Sequence, residues 1–318
     1  MRRLILLITL ALTTYTTMAQ SKYPICDDFR AACRITAPIG RGVLGMGNLF
    51  LGSMPKGMCS NKELSIERMK IRSSVDGNKI RAWVITPRAT NITPRPAILM
   101  LHGGGFVFKG APYHYDLAKE YARRTGAVVV MVDYRTAHNN TYGTTLQDCI
   151  DAWWWMMENA AQIGINTSRV AIVGDSAGGF LAIKMALTEG ITPSKLMLIY
   201  PVVDCSMRTA SMAQYDDTPV WNSKLNRKMW EYYLQGNEEQ SLLDITEDEL
   251  RRLPATYIET AEFDCLRDEG DTLATMLDSV GIETTHTNIK GTMHGFDMAQ
   301  RSEITQRQVT ARCTWLAK

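Results

Sequence analysis

Residues 170–179 read Val-Ala-Ile-Val-Gly-Asp-Ser-Ala-Gly-Gly and join an apolar run to a helical run through a sharp turn. A turn of this kind holds its central serine, Ser176, in a strained backbone conformation at the end of a buried strand. The residues two positions before and after the serine must be small, and Gly174 and Gly178 meet that need. A serine in a Gly-x-Ser-x-Gly string can also be a simple helix cap. Its place between a strand and a helix favours Ser176 as a nucleophile.

Short β-rich runs alternate with helical runs from residue 79 onward. Most of the later β-rich runs are continuously apolar, as strands buried on both faces of a parallel sheet are. The alternation predicts an α/β fold with a mostly parallel, doubly wound sheet in one domain, residues 20–318. The predicted strands are Lys79–Thr86, Pro96–Leu101, Ala127–Asp133, Val170–Gly174, Lys195–Tyr200, Ala255–Ala261 and Glu283–Ile289. The predicted helices are Leu146–Met157, with Trp153 and Trp154 in its apolar stripe, Gly178–Thr188, Leu266–Val280 and Ile304–Leu316.

Two regions interrupt this alternation, residues 20–60 and 205–250. The first mixes cysteines with a glycine-rich apolar stretch, and the second places aromatic residues such as Trp221 among charges. Ligand sites in open α/β sheets lie at the carboxyl ends of strands, where inserted segments can cover them. We therefore predict that both regions form a cap, with peripheral packing as the alternative.

A second glycine-rich stretch, His-Gly-Gly-Gly at residues 102–105, follows an apolar run. Three glycines leave backbone N–H groups free to approach a ligand, and such donors stabilise the oxyanion of an acyl-transfer intermediate. The amides of Gly103, Gly104 and Ala177 are the predicted donors of this oxyanion hole. We expect His102 to fix the loop through hydrogen bonds rather than to act as a base.

Elimination among the five histidines selects the candidate general base. The three that precede the serine lie near the glycine-rich stretch or in a polar loop. His286 alternates with polar residues inside a predicted strand and so points at a neighbouring layer. His294 lies just past the last predicted strand, where its imidazole could reach Ser176.

A histidine base needs a carboxylate that orients its ring. Asp264 lies just beyond the strand Ala255–Ala261 and falls between the serine and the histidine in chain order. Serine, aspartate, histidine is the order expected after a strand–turn–helix nucleophile. Glu262 and then Asp204 are the alternatives, whereas Asp268 fits the first turn of the following helix.

Five motifs carry a family resemblance over about residues 80–300: HGGGF, DYR, GDSAGG, the DxLRDEG stretch at Asp264 and HGF at His294. Together they resemble the hormone-sensitive-lipase branch of the α/β-hydrolase esterases. The resemblance implies a serine esterase with an HGGG oxyanion hole and a cap built from N-terminal helices and an insertion. One departure follows Asp133-Tyr134-Arg135, where the family usually continues Leu-Ala-Pro-Glu and residues 136–140 read Thr-Ala-His-Asn-Asn.

The implied reaction is two-step acyl transfer on short acyl or acetyl esters, without a cofactor or a metal. Aromatic residues are expected to close the acyl pocket, with Phe106 and Phe108 forming its floor and Trp221 in the cap. The expected substrate is a small-molecule or carbohydrate ester with an acyl group of about two to six carbons. A ligand-binding homologue without catalysis and an amide or peptide hydrolase are the alternatives.

The N-terminus has the three parts of an export signal. Arg2 and Arg3 precede the apolar run Leu4–Leu12, and a small-residue site ends at Ala19. Cleavage there predicts an exported protein, because the apolar run is too short for a membrane anchor. Cleavage would also remove two of the 35 basic residues and none of the 33 acidic ones. The mature chain would then have no net charge to drive binding to nucleic acid or a membrane. The seven cysteines contain no CxxC pair, and at least one thiol should stay free or pair between chains.

Overall fold

The fold is built on one central sheet of eight strands in the computed structural model, which describes residues 22–36, 39–88 and 94–318. The expected α/β-hydrolase fold is confirmed, while the predicted export signal lies outside the described residues. The strands are β1 (Leu64–Arg72), β2 (Lys79–Pro87), β3 (Arg95–Leu101), β4 (Val128–Asp133), β5 (Ile165–Asp175), β6 (Lys195–Ile199), β7 (Thr256–Phe263) and β8 (Thr284–Met293).

The strand order is β1-β2-β4-β3-β5-β6-β7-β8. Strands β3 to β8 run parallel to one another, and β2 pairs antiparallel with both β1 and β4. The carboxyl ends of β3, β5, β7 and β8 therefore meet along one edge of the sheet. Each segment predicted to carry the chemistry follows one of these four strands.

Sequence patterning identified every strand except β1. That strand mixes apolar and polar residues, pairs only with β2 and lies at the edge of the sheet. Its polar residues face solvent, so it lacks the continuous apolar run that marks the inner strands. Strand β8 also extends four residues beyond the predicted end at Ile289, so His294 follows it directly.

Helices cover both faces of the sheet and enclose two apolar clusters. The predicted helices are present, with ends that differ by one or two residues, but the described chain adds several that periodicity did not indicate. Within the predicted stripe Trp153 is buried, whereas Trp154 is 42% exposed, contrary to expectation. The helices are α1 (Arg41–Ser53), α2 (Pro112–Thr125), α3 (Thr144–Glu158), α4 (Ala160–Ile163), α5 (Ala177–Leu187), α6 (Ala210–Gln214), α7 (Ser223–Leu234), α8 (Glu247–Leu250), α9 (Arg267–Ser279) and α10 (Glu303–Ala317).

The two regions that interrupt the alternation contact each other in the structure. Thr36 forms an isolated parallel bridge with Val220, whose N–H donates to the carbonyl of Ile35 at 3.1 Å. The hydroxyl of Tyr23 donates to Asp217. Residues 22–36 and 215–220 are thus joined by main-chain and side-chain bonds.

Among the helices of residues 22–36, 39–88 and 94–318, none combines the length and the hydrophobicity that a membrane span requires. All seven cysteines, each of which lies in these ranges, are free thiols, and Cys149 is buried as expected.

Candidate active site

The turn between β5 and α5 places Ser176 in a backbone conformation that non-glycine residues rarely adopt. Its φ is 53° and its ψ is −120°, a strained state that tight packing must hold in place. A Cβ added to Gly174 would lie 2.1 Å from the carbonyl oxygen of Gly178, and one added to Gly178 equally close to that of Leu101. Both positions therefore exclude any side chain, as the sequence argument required.

Three side chains that are distant in sequence form a continuous hydrogen-bonded chain. The Oγ of Ser176 lies 2.9 Å from Nε2 of His294, and Nδ1 of His294 lies 2.7 Å from Oδ2 of Asp264. All three residues are buried, with Asp264 fully enclosed. The structure thus brings together the predicted nucleophile, base and acid.

Each rival carboxylate is directed elsewhere. Glu262 accepts the N–H of Gly291 at 2.7 Å, and Asp268 accepts the N–H of Ser211 at the same distance. Asp204 accepts bonds from Ser206. Of the weighed carboxylates, Asp264 alone reaches His294.

The remaining histidines also have other partners. Nε2 of His286 lies 2.9 Å from Asp271, at the surface between β8 and α9. His138 bonds to Thr136 at 2.9 Å, and Nε2 of His114 lies 3.0 Å from Asp175. None of these rings contacts the serine.

The structure corrects one predicted oxyanion donor. The N–H of Gly103 donates to Oδ1 of Asp175 at 3.0 Å and is therefore not free. The N–H groups of Gly104, Gly105 and Ala177 have no acceptor among the described residues. Gly104 and Gly105 have φ values of 120° and 57°, which aim successive amides in directions that an L-residue would resist.

Asp175, the residue before the serine, holds the glycine loop in place. One of its oxygens takes the Gly103 amide and the other faces His114. Burial favours the protonated acid, but His114, His102 and the Gly103 amide outweigh it and hold the pKa of Asp175 below its ordinary value. A fixed anion under the loop thus orients Gly103.

His102 supports the same loop from its other side. Its Nδ1 bonds to the carbonyl of Gly103 at 2.7 Å, and its ring stacks on Tyr134 with centroids 4.1 Å apart. Complete burial lowers the pKa of His102 to about 4, so this imidazole is neutral at physiological pH. The uncharged ring therefore holds the loop through this hydrogen bond and this stacking contact, as expected from the sequence.

The segment that departs from the family pattern after Arg135 forms a short helical turn, Ala137–Asn139. The N–H of Ala137 donates to the carbonyl of Phe106 at 2.8 Å. The side chain of Gln235, at the end of α7, donates to the carbonyls of Ala137 and Asn140. The departure therefore links the glycine loop to the region predicted to form the cap.

A buried ionic network lies beneath His294. The hydroxyl of Tyr200, whose ring meets the His294 ring edge-on at 4.9 Å, donates to Asp297 at 2.9 Å. Arg312 of α10 bonds to the same Asp297 oxygen at 2.9 Å and also pairs with Glu259. All of these groups are buried, so the loop that carries the histidine is tied to the C-terminal helix.

The three aromatic residues predicted to form the acyl pocket occupy different environments. Trp221 is buried beside the site, with its ring 6.0 Å from that of His294. Phe106 has no exposed surface and stacks on Tyr233 at 4.1 Å. The structure therefore places Phe106 in the core rather than on a pocket floor. Phe108 is partly exposed and lies against α1.

One polar side chain fastens α1 to the end of the glycine loop. The amide nitrogen of Asn48 donates to the carbonyl of Val107 at 2.7 Å, and its oxygen accepts the N–H of Lys109 at 2.8 Å. Asn48 is buried, although most of the helix is exposed. The contact places residues of the first interrupting region beside the site.

Sequence reasoning did not assign roles to Asp175, Gly105 or Tyr200. Tyr200 directly follows β6, the strand next to the nucleophile's strand, so its position at the carboxyl edge was the available signal. Nothing in the sequence distinguishes which of three consecutive glycines loses its amide to Asp175. In the described ranges, no group of three or more His, Cys, Asp or Glu residues is placed to hold a metal ion.

Comparison with known proteins identifies the same architecture. The sequence profile of the alpha/beta hydrolase fold family matches residues 98–298. A bacterial heroin esterase of known structure superposes with a TM-score of 0.82 at 28% identity, covering 92% of this chain and 97% of that one. The resemblance to hormone-sensitive-lipase-like esterases is thereby confirmed.

Two curated relatives are similar to this chain over 63% of its length. The chain is 32% identical over 211 residues to carboxylesterase NlhH of Mycobacterium tuberculosis, covering 63% of this chain and 66% of that protein. It is 33% identical over 211 residues to an ethyl acetate hydrolase of Pseudomonas putida, covering 63% and 65%. The similarity spans just under two thirds of each relative's length.

Proposed function

The chain belongs to the α/β-hydrolase fold family, in its branch similar to hormone-sensitive lipase, and we propose that it is a serine carboxylesterase. The observation that carries the proposal is the hydrogen-bonded chain from Ser176 through His294 to the buried Asp264, with distances of 2.9 and 2.7 Å. A serine hydroxyl is a weak nucleophile until a neighbouring base takes its proton. The relatives named as esterases support a carboxylic ester as the bond that is cleaved.

In the first step, the Oγ of Ser176 attacks the ester carbonyl while Nε2 of His294 takes the hydroxyl proton. Asp264 accepts the Nδ1–H of His294, which fixes the tautomer and stabilises the imidazolium. The imidazolium then protonates the leaving alcohol and an acyl-enzyme remains. Water, activated by the same imidazole, releases the acid and regenerates the serine.

The negative charge on the carbonyl oxygen needs preorganised donors as the tetrahedral intermediate forms. We assign the amides of Gly104, Gly105 and Ala177 to this oxyanion hole, because each lacks an acceptor among the described residues. Each such donor contributes about 2.7–4 kcal/mol to transition-state stabilisation. Gly103 serves the hole indirectly, through its bond to Asp175.

The proposed substrates are esters with acyl groups of about two to six carbons. Trp221 narrows the site, since its ring approaches both His294 and Gly105. The similarity to an ethyl acetate hydrolase supports the short end of this range. We further propose that residues 20–60 and 205–250 form the cap that restricts the pocket, a role that the Asn48 and Trp221 contacts support.

Export is a separate proposal that rests on the N-terminal sequence, with Arg2, Arg3 and the apolar run Leu4–Leu12 before Ala19. N-terminal sequencing of the protein recovered outside the cytoplasm should begin at Gln20. Recovery of the uncleaved chain from the cytoplasm would contradict export without affecting the proposed chemistry.

The function is tested by a chain-length series of p-nitrophenyl esters, measured beside acetylated sugars and a matched anilide. We expect ester hydrolysis with the fastest turnover below six carbons, and less than about a thousandth of it in Ser176→Ala. Preference for the anilide would favour the amide-hydrolase alternative. Binding without a burst of p-nitrophenol would favour the non-catalytic alternative, and a preference for chains of ten carbons or more would overturn the short pocket.

A further inference from the structure

A cleft of about 250 Å³ opens beside the antiparallel strands of the sheet, and its lining includes none of the residues assigned to acyl transfer. Six basic side chains converge on it from separate parts of the chain. Two come from β1, two from β2, one from the loop after β3 and one from the segment after β4. These are Arg68, Lys70, Lys79, Arg81, Lys109 and Arg135.

The strand register places like charges directly opposite each other. Lys70 pairs with Arg81 and Arg72 pairs with Lys79 across the β1–β2 ladder. Like charges in such cross-strand positions destabilise a sheet. A local conflict of this kind is typical of a functional site, where a ligand compensates for the repulsion.

Few carboxylates neutralise the cluster. Arg81 pairs with Asp133 at 3.4 Å, and Arg135 is held by Asp148 and Asp76. In contrast, no carboxylate among the described residues lies within ion-pair distance of the remaining four cations. These are Arg68, Lys70, Lys79 and Lys109.

Protection of a sheet edge is the simplest competing explanation, because edge strands often carry lysines that prevent pairing with other chains. It would account for Arg68 and Lys70, which belong to the edge strand β1. It does not account for Lys79 and Arg81, which lie on an inner strand, or for Lys109, which follows the glycine loop. Edge protection therefore does not explain the convergence of these cations on one cleft.

We propose that this cleft binds an anionic ligand that carries phosphate. Lysine ammonium groups supply point charges and arginine guanidinium groups supply paired donors, the two devices that proteins use for phosphate. The lining includes one carboxylate, the buried Asp133, which pairs with Arg81 at 3.4 Å, so the net charge of the cleft stays positive.

The same chemistry has two sources, a free phosphorylated molecule or a phospholipid headgroup. The first measurement is titration calorimetry with pyrophosphate at low salt. We expect one site per chain, weakened by added salt as charge screening requires. The triple variant Arg68→Gln/Lys70→Gln/Lys79→Gln should bind at least tenfold more weakly, with circular dichroism and the Tm reporting that it is folded.

A matched control removes the same charge elsewhere, in Arg169→Gln/Arg301→Gln/Arg307→Gln, and should change affinity less than twofold. Equal loss in both triple variants would show only a net-charge effect and would overturn the proposal. So would the absence of pyrophosphate binding to the unaltered protein together with no binding to vesicles.

Flotation with phosphatidylglycerol vesicles identifies the source. If pyrophosphate displaces the protein from vesicles, and only the cleft triple variant fails to bind them, the ligand is a lipid headgroup. Pyrophosphate binding without flotation assigns it to a free phosphorylated ligand. Vesicle binding that the cleft variant retains, without pyrophosphate binding to the unaltered protein, would overturn the site.

Discussion

An added methyl group would clash in the turn that carries Ser176, whereas helix α1 has space for one at several of its glycines. A Cβ on Gly174 or Gly178 would overlap backbone atoms at 2.1 Å. A Cβ on Gly42, Gly45 or Gly52 of α1 would meet nothing within 4 Å.

The same contrast holds for side-chain burial. Leu49 of α1 is 76% exposed, whereas the serine, histidine and aspartate of the site are buried. Close packing restricts the residues at the strand ends to a single geometry. In contrast, the position of α1 depends on a few contacts such as those of Asn48. Changes at the strand ends should therefore alter the rate of the chemistry, and changes in the cap should alter substrate binding.

The largest effect is expected at the base. His294→Ala should lower kcat/KM by roughly 10⁴-fold or more, because the members of a catalytic unit fail together. His286→Ala is the matched control, since that imidazole bonds to Asp271 at the surface, and should change kcat/KM less than threefold. Steady-state hydrolysis of p-nitrophenyl acetate measures both variants, and a more damaging His286→Ala would show that the base is misassigned.

A methyl group in the glycine loop should have the next largest effect. A Cβ on Gly105 would lie 2.5 Å from the ring of Trp221, at a φ of 57° that disfavours alanine. Displacement of this amide from the oxyanion should lower kcat by about 10²-fold in Gly105→Ala. Gly45→Ala in α1 should leave kcat unchanged. An equal loss of kcat in the two variants would contradict the proposed difference between the glycine loop and α1.

A smaller effect, on binding, is expected from the cap. Trp221→Ala removes an aromatic contact worth about 1 kcal/mol, so KM for short esters should rise about fivefold, with kcat changed less than threefold. Trp154→Ala, at an exposed position on α3, serves as the control. A fall in kcat with KM constant would place Trp221 in the chemistry rather than in the pocket.

The last effect concerns the pH dependence of stability rather than the rate of the reaction. The pKa of His102 is lowered to about 4 in the folded state, so between about pH 6.5 and 4 the unfolded chain binds more protons. The free energy of unfolding should fall across this window by up to about 3 kcal/mol through this residue. Urea unfolding at pH 4.5 and 7.5 should show a smaller fall in His102→Asn, and an identical fall would contradict the neutral buried ring.

The sequence predicted the fold and the three residues of the proposed triad for a shared physical reason. Continuous apolar runs mark inner strands, and parallel strands deliver Ser176, Asp264 and His294 to one edge. The use of the Gly103 amide by Asp175 and the burial of Phe106 under α7 depend on packing between distant segments, which local patterns do not encode.

The basic cleft was missed for a related reason. The chain carries no run of basic residues that would suggest an anion site, and the mature chain is expected to be nearly neutral. Register between β1 and β2 brings Lys70 opposite Arg81, and a loop from another part of the sheet adds Lys109. Since β1 itself was not identified from its pattern, the convergence of these charges could not be predicted.

The central claim is that Ser176 forms a covalent acyl-enzyme with help from His294. Its most direct test is reaction with a p-nitrophenyl phosphonate ester, followed by intact mass and peptide mapping. We predict one phosphonyl group per chain on Ser176 and complete loss of ester hydrolysis on labelling. Ser176→Ala should take up no label, and labelling of His294→Ala should be slower by orders of magnitude. A label on another residue, or hydrolysis that persists in the fully labelled protein, would contradict it.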